Sequence, residues 1–252
     1  MDENNKTIQS LWIGESLEAM ELLTIASFLD HGHDFVLWTY TDIKNVPDGI
    51  DVRPAAEILP SKFIFTLKSS AHHGSVAHFA DKFRFKLLEK HGGWWVDMDV
   101  TCLKPFDIDE PYVFKKNEIA SAPDIIASIN IIKCPAKSEV MRYTFEKANR
   151  YLKPDNVDWH LPTKIFSNAL KREELEKYIR VIKELGSDSK AIDYFEGNDT
   201  IFESQYAVHW NKSLLIKKGI DIVRPVEGTL YQKLLTKYGI SHENRNRTQT
   251  KD

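Results

Sequence analysis

Gly92-Gly93-Trp94-Trp95-Val96-Asp97-Met98-Asp99-Val100 is the stretch that decides how this chain is read. The glycine pair stops whatever precedes it, and Trp94 to Val100 then reads as a strand. Successive strand residues point to opposite faces. Trp94 and Trp95 therefore need cover on both faces, as in a central strand of an α/β sheet. On such a strand Asp97 and Asp99 project to one face, with Cα atoms roughly 6.5 Å apart. Two carboxylates so spaced can converge on one divalent cation, with oxygen ligands at about 2.0–2.2 Å. An isolated Asp-x-Asp is as readily the end of a strand or the cap of a turn, so its surroundings have to carry the reading.

Upstream, Ser75 is placed to cap a helix running to about His91, with Val76, Phe79, Ala80, Phe83 and Leu87 on one face. Asp81 and Arg84 lie one turn apart on that helix, either as a surface ion pair or as a binding pair. Nearer the start, Ile8 to Ile13 reads as a first strand closed by Gly14. Leu17 to Asp30 reads as a largely buried helix ended by His31-Gly32-His33, and Phe35 to Tyr40 as a second strand. This order argues for a parallel βαβ unit. Asp42 to Gly49 is a loop. Downstream, the pattern predicts a buried strand from Ile125 to Lys133 and a helix opened by Pro135 and running to about Leu152. It then predicts a mostly helical stretch from Pro162 to Leu185 and a late strand from Tyr206 to Trp210. Residues 1–241 read as a single domain, and 242–252 as a polar, disordered tail.

The bulk numbers suit that reading. The chain has 252 residues, 42% apolar and 28% charged, with a net charge of −3, so no large basic field argues for nucleic acid. The polar start Met1-Asp2-Glu3-Asn4-Asn5-Lys6 has no apolar core of a secretory signal, and no apolar run approaches the ~20 residues of a membrane span. Cys102 and Cys134, the only cysteines, form no disulfide framework and favour a reducing, cytoplasmic setting.

The run Asp81-Lys82-Phe83-Arg84, Leu87-Leu88, His91 to Val100 resembles the sugar-binding Asp-x-Asp region of one glycosyltransferase group. That group takes in the α-1,4-galactosyltransferase-like enzymes, the initiating mannosyltransferases and bacterial capsular polysaccharide enzymes. The glucosyltransferase domain of large clostridial toxins is a more distant likeness. Leu11-Trp12-Ile13-Gly14 is similar to the first-strand segment whose aromatic residue stacks on the nucleotide base, and Ala207-Val208-His209-Trp210-Asn211 to the closing segment that reaches back to the metal.

The resemblance implies a GT-A fold, a Rossmann-like domain with a mixed, mostly parallel central sheet flanked by helices. It implies a hexosyltransferase that retains anomeric configuration and takes a UDP-sugar ahead of a GDP-sugar. Mn²⁺ or Mg²⁺ held by Asp97, Asp99 and His209 would grip the diphosphate. Trp12, Ile13, Gly14, Tyr40, Thr41 and Trp210 would cradle the nucleotide, and Asp81 and Arg84 would orient the donor sugar. The acceptor would be a glycan hydroxyl, lipid-linked carriers being compatible, with peripheral association at the inner face of the membrane compatible too. From the residues alone, Trp12 fits core as well as stacking, and His209 a structural role as well as ligation. The sequence departs from the group at Ala80, where Ser is common, and at Ser128-Ile129-Asn130, where an Asn-x-Gly segment is common, so the donor sugar is not carried over.

Two rivals fit the same aspartates. Asp97-Met98-Asp99-Val100-Thr101 matches the nucleophile motif of haloacid-dehalogenase-type phosphohydrolases, but that motif usually opens its domain and its partner metal motif is missing. A degenerate, non-catalytic sugar-binding module is the other, and the intact Asp81, Arg84, Asp97 and Asp99 argue against it. No Gly-rich dinucleotide or P-loop fingerprint follows the first strand.

Overall fold

The computed structural model describes residues 3–69, 72–118, 121–197 and 201–241, so the tail expected at 242–252 lies outside them. The chain runs α1 (Glu3–Lys6), β1 (Thr7–Trp12), α2 (Ala19–Asp30), β2 (Asp34–Thr39), β3 (Asp51–Pro54), α3 (Ala77–His91), β4 (Gly93–Val96), β5 (Val100–Cys102), β6 (Val113–Lys116) and β7 (Ala127–Cys134). It continues with α4 (Glu139–Tyr151), α5 (Leu161–Arg172), β8 (Ile179–Arg180), α6 (Ile182–Leu185), α7 (Ala191–Glu196), β9 (Ala207–His209), α8 (Lys212–Lys217) and α9 (Leu230–Lys237).

Seven strands form one sheet in the order β3-β2-β1-β4-β7-β6-β8, and β5 pairs with β9 in a separate two-stranded sheet. β1 is parallel to β2 and β4, β2 to β3 and β6 to β8, whereas β7 is antiparallel to β4 and β6. The sheet is thus mixed and mostly parallel, with helices packed on it, as expected. From β1 the chain passes to β2 and β3 on one side, then returns through α3 to place β4 on the other. That reversal opens a crevice at the carboxyl ends of β1 and β4, the usual ligand position in such sheets.

Trp94 and Trp95 explain the two layers. Trp95 packs with Trp38, Phe79, Phe83 and Phe114 on one face, and Trp94 with Ile8, Phe28, Phe35 and Phe106 on the other. Burying both indoles, each worth 150 Å² or more of apolar surface by general experience, leaves this register no alternative face to slip to. A third apolar cluster, with Tyr194, Phe195, Val208, Trp210, Leu215 and Tyr231, packs the C-terminal helices against Met20 and Leu23 of α2.

Several boundaries differ from the sequence reading. Trp94 to Val100 is not one strand: β4 stops at Val96, Asp97-Met98-Asp99 forms a turn closed by Val100 N–H donating to the Asp97 carbonyl (3.1 Å), and β5 leaves for the other sheet. Helix α4 begins at Glu139 after Ser138 in extended backbone, not at Pro135. The mostly helical stretch expected from Pro162 to Leu185 is broken into α5 and α6, and α5 stops at Arg172. There Glu174 adopts a left-handed φ of 54° and the Leu175 amide bonds back to the Leu170 carbonyl (3.0 Å), which closes the helix end. The chain beyond gains more as β8 on the free edge of β6 than as another helical turn. Ser75 does accept from the Ala77 amide (3.2 Å) at the start of α3. At its end Gly92 has φ 63°, and a Cβ there would lie 2.2 Å from the Ala136 amide nitrogen, so glycine is required on both counts. His33, of the His31-Gly32-His33 stop, is structural: its Nδ1 faces the Asn5 carbonyl (3.0 Å) and its Nε2 accepts from the Phe106 amide (2.9 Å).

Candidate functional site

The Asp97–Asp99 turn joins the two sheets at the carboxyl end of β4, and its backbone is pinned from three sides. The Asp97 amide donates to the Asn130 carbonyl on β7 (2.9 Å), Thr24 of α2 donates to the Met98 carbonyl (2.9 Å), and the Trp210 amide donates to the Asp99 carbonyl (2.9 Å). The turn, rather than strand alternation, therefore aims the two carboxylates. Register on the small sheet pairs Val100 with His209 and so brings β9 alongside. Ligand atoms of Asp97, Asp99 and His209 all lie within 4.8 Å of one another.

This donor set fits a divalent ion. Adjacent ligands of an octahedral ion with bonds near 2.1 Å stand about 3 Å apart by geometry, and His209 Nε2 lies 3.2 Å from Asp99 Oδ1. Asp97 Oδ1 receives the Trp95 indole N–H (2.8 Å) and the Arg84 guanidinium (3.1 Å). Asp99 Oδ2 accepts the Lys212 amide (2.9 Å).

Arg84 organises one flank. Its guanidinium pairs with Asp81 (3.1 Å) and Asp97, donates to the Ile129 carbonyl and lies 4.9 Å over the Trp95 ring, with only 7% of the side chain exposed. Burial pushes the Asp81 carboxyl up to about 7 even though Arg84 opposes it. Burial also raises Asp97, with Arg84 pulling down and Asp99 pushing up. Asp99 ends below its ordinary value because His209 and Lys212 outweigh its burial.

The other flank was not legible beforehand. His209 Nδ1 lies 2.6 Å from Asp188 Oδ1 and 2.8 Å from the Asn130 amide nitrogen. Asp188 also pairs with Lys115, whose side chain is fully buried. Burial alone would lower His209, but the carboxylates of Asp99 and Asp188 raise it to about 10, so it is an imidazolium near neutrality. Asn130 had a faint signal, as a polar residue inside the apolar run of β7, whereas Lys115, next to Lys116, had none. Asp188, in Gly186-Ser187-Asp188-Ser189, had none.

The expected nucleotide residues divide. Trp12 is half-buried at the end of β1, its indole N–H on the Ser16 carbonyl (3.0 Å) and the Lys212 ammonium 5.8 Å from its ring centre. Lys212 is anchored by Glu18 (3.0 Å) and Glu21 (2.6 Å). Thr41 donates to the Gly14 carbonyl (3.2 Å), which ties the loops after β1 and β2, where Ile13 also sits, into one rim. Tyr40 turns its hydroxyl to the Leu59 carbonyl (2.7 Å) and packs on Phe79 and Phe83. Trp210 does not reach the crevice. Its side chain is 0% exposed among Tyr194, Phe195 and Tyr231, and its indole N–H donates to Thr101 (2.8 Å). Strand alternation places Trp210 on the face opposite His209, which corrects the expectation that its side chain holds the nucleotide.

Residues 59–205 match the family described as capsular polysaccharide synthesis protein, a span covering α3, the Asp-x-Asp turn and most of the sheet. The chain belongs to that family. The family's description places it in the synthesis of capsular polysaccharide. Trp12, His209 and Lys212 lie outside the matched span. Similar solved structures include the PaToxG glycosyltransferase, with 12% identity, 94% of this chain and 86% of that chain covered, and a TM-score of 0.48. The glycosyltransferase GlyE of Streptococcus pneumoniae TIGR4 is another, with 10% identity, 92% and 63% covered, and a TM-score of 0.43. No curated protein matches.

Proposed function

We propose that this chain is a metal-dependent hexosyltransferase that moves a sugar from a nucleotide donor, a UDP-sugar ahead of a GDP-sugar, to a glycan hydroxyl, with retention of configuration. The observation that carries the reading is the convergence of Asp97, Asp99 and His209 at the carboxyl end of β4, beside Trp12 at the end of β1. Those three side chains would hold the ion. Two carboxylates with one imidazole suit Mn²⁺ better than Mg²⁺, which prefers oxygen throughout. A bound ion there would neutralise charge gathering on the departing nucleoside diphosphate.

The chain's own groups do the rest. Trp12 offers a ring face to the base, and the Gly14–Thr41 rim closes on the nucleoside. Lys212 donates its backbone amide to Asp99 and holds its ammonium near Trp12 on Glu18 and Glu21, which braces that side of the crevice. Asp81 accepts hydroxyls of the donor sugar. Arg84 is committed to Asp81, Asp97 and Ile129, so it acts by aiming those carboxylates rather than by binding sugar itself. Among the described residues no helix is long and apolar enough to cross a membrane. We place the enzyme in the cytoplasm, working on an acceptor presented at the inner face of the membrane, with lipid-linked glycans the first candidates.

The test is donor hydrolysis across a panel of UDP- and GDP-sugars, with and without Mn²⁺, for the native chain, Asp97→Ala and Asp99→Ala. Mn²⁺-dependent turnover lost in both variants is expected. Metal-independent turnover, or full activity in both variants, refutes the reading.

A further inference from the structure

His209 has two ring nitrogens, and only one can face Asp99. What decides which is a structure of its own, built from residues of β6, β7 and the turn after α6. Lys115 is wholly buried on β6, an expensive place for a cation unless it is paired. Its ammonium meets Asp188 Oδ1, the oxygen that also faces His209 Nδ1 and the Asn130 amide (3.3 Å). Glu118, just past the end of β6, clamps the turn that carries Asp188. It accepts the Asp188 amide and the hydroxyls of Ser187 (2.6 Å) and Ser189 (3.4 Å). One short stretch of chain therefore supplies both the counter-ion of Asp188 and the brace for its backbone.

We infer that Asp188, held by Lys115 and Glu118, is a positioning residue: it accepts a hydrogen bond from the Nδ1–H of His209 and so presents Nε2 to an ion shared with Asp97 and Asp99. The inference rests on the metal reading proposed above. It follows the general behaviour of histidine ligands, whose second nitrogen is usually oriented by a carboxylate and whose affinity for metal falls when that carboxylate is lost. Asp188 touches His209 and not the ion, so its effect is on how well the ion is held rather than on any reacting atom.

The experiment measures Mn²⁺ affinity by calorimetry and by the electron paramagnetic resonance signal of free Mn²⁺, with no donor present. The proteins are the native chain, Asp188→Asn, Glu118→Gln and the double variant Lys115→Met with Asp188→Asn. The double variant removes both buried charges together, so it keeps the test alive if Asp188→Asn alone fails to fold with Lys115 left unpaired. Native binding with a loss of about 10- to 100-fold in the folded Asp188 variants, and a smaller loss in Glu118→Gln, is expected. A merely structural role would lower the unfolding midpoint and leave the affinity of the folded protein alone. Native binding with unchanged affinity in the double variant overturns the inference and leaves the metal reading standing. No binding by the native chain overturns the metal reading, and the inference with it.

Discussion

Ion binding at Asp97, Asp99 and His209 should expel a proton, and the structure sets how many and over what pH range. Without an ion, His209 is sandwiched between Asp99 and Asp188 and holds its proton up to about pH 10. A metal ligand must be neutral imidazole, so binding at pH 8 has to displace that proton about two pH units below its pKa. The cost is roughly a hundredfold in apparent affinity, or about 2.7 kcal/mol. Affinity should therefore climb about tenfold per pH unit between pH 7.5 and 9 and level off near 10. Titrating Mn²⁺ into the protein at pH 8, in two buffers of different ionisation enthalpy, counts the protons directly, and close to one is expected. Asp97, itself raised by burial, adds any proton it still holds, so the drop in the count on replacing His209 is what isolates the imidazole. His209→Asn should bind more weakly and release about one proton fewer. A proton count of zero in the native chain, or a flat affinity from pH 7.5 to 9, would refute the reasoning. The same raised pKa bears on stability. The folded value exceeds the unfolded one, so the contribution is full below about pH 6.5 and is lost as pH rises towards 10. The metal-free protein should lose resistance to urea across that window, and saturating Mn²⁺ should remove the trend.

Three further outcomes follow from single contacts. Arg84→Leu leaves Asp81 and Asp97 buried without their cation, so urea unfolding should show a loss of about 3–5 kcal/mol, and Mn²⁺ affinity should fall too as Asp97 protonates more readily. Gly92→Ala places a methyl on the Ala136 backbone at a positive φ, and should cost at least about 1–3 kcal/mol in the same measurement, with the largest loss of amide-exchange protection near the α3–β4 junction. Trp210→Phe strands the Thr101 hydroxyl and should cost about 1–3 kcal/mol while leaving the donor KM unchanged; a raised KM with native stability would restore Trp210 to the nucleotide site.

What could be read in advance followed the physics of one strand and one helix. Trp94 and Trp95 demanded a doubly covered strand, Gly92 demanded a stop, and Asp81 and Arg84 were one helical turn apart, all of which are local constraints. The Asp-x-Asp geometry was misread for a related reason: alternation along a strand describes the residues up to Val96, but the turn at Asp97–Asp99 exists because β5 is recruited by β9, more than a hundred residues away. β6, β3 and β8 escaped notice because strands of two to four residues leave too little periodicity to see. Asp188 was invisible because its meaning comes only from Lys115, Asn130 and His209, which three separate elements bring to it. Trp210 was misplaced because a segment-level likeness does not distinguish adjacent residues that point to opposite sides.

The small β5–β9 sheet has a consequence for how the enzyme comes into being. Every strand of the large sheet lies before residue 181, whereas His209 and Lys212 lie after it. During synthesis the large sheet can therefore close before the Asp97–Asp99 turn gains the imidazole of His209, which arrives only when β9 emerges and zips onto β5. The proposed capture of an ion then waits for β9, and a product truncated near residue 205 would lack the third side chain of that cluster.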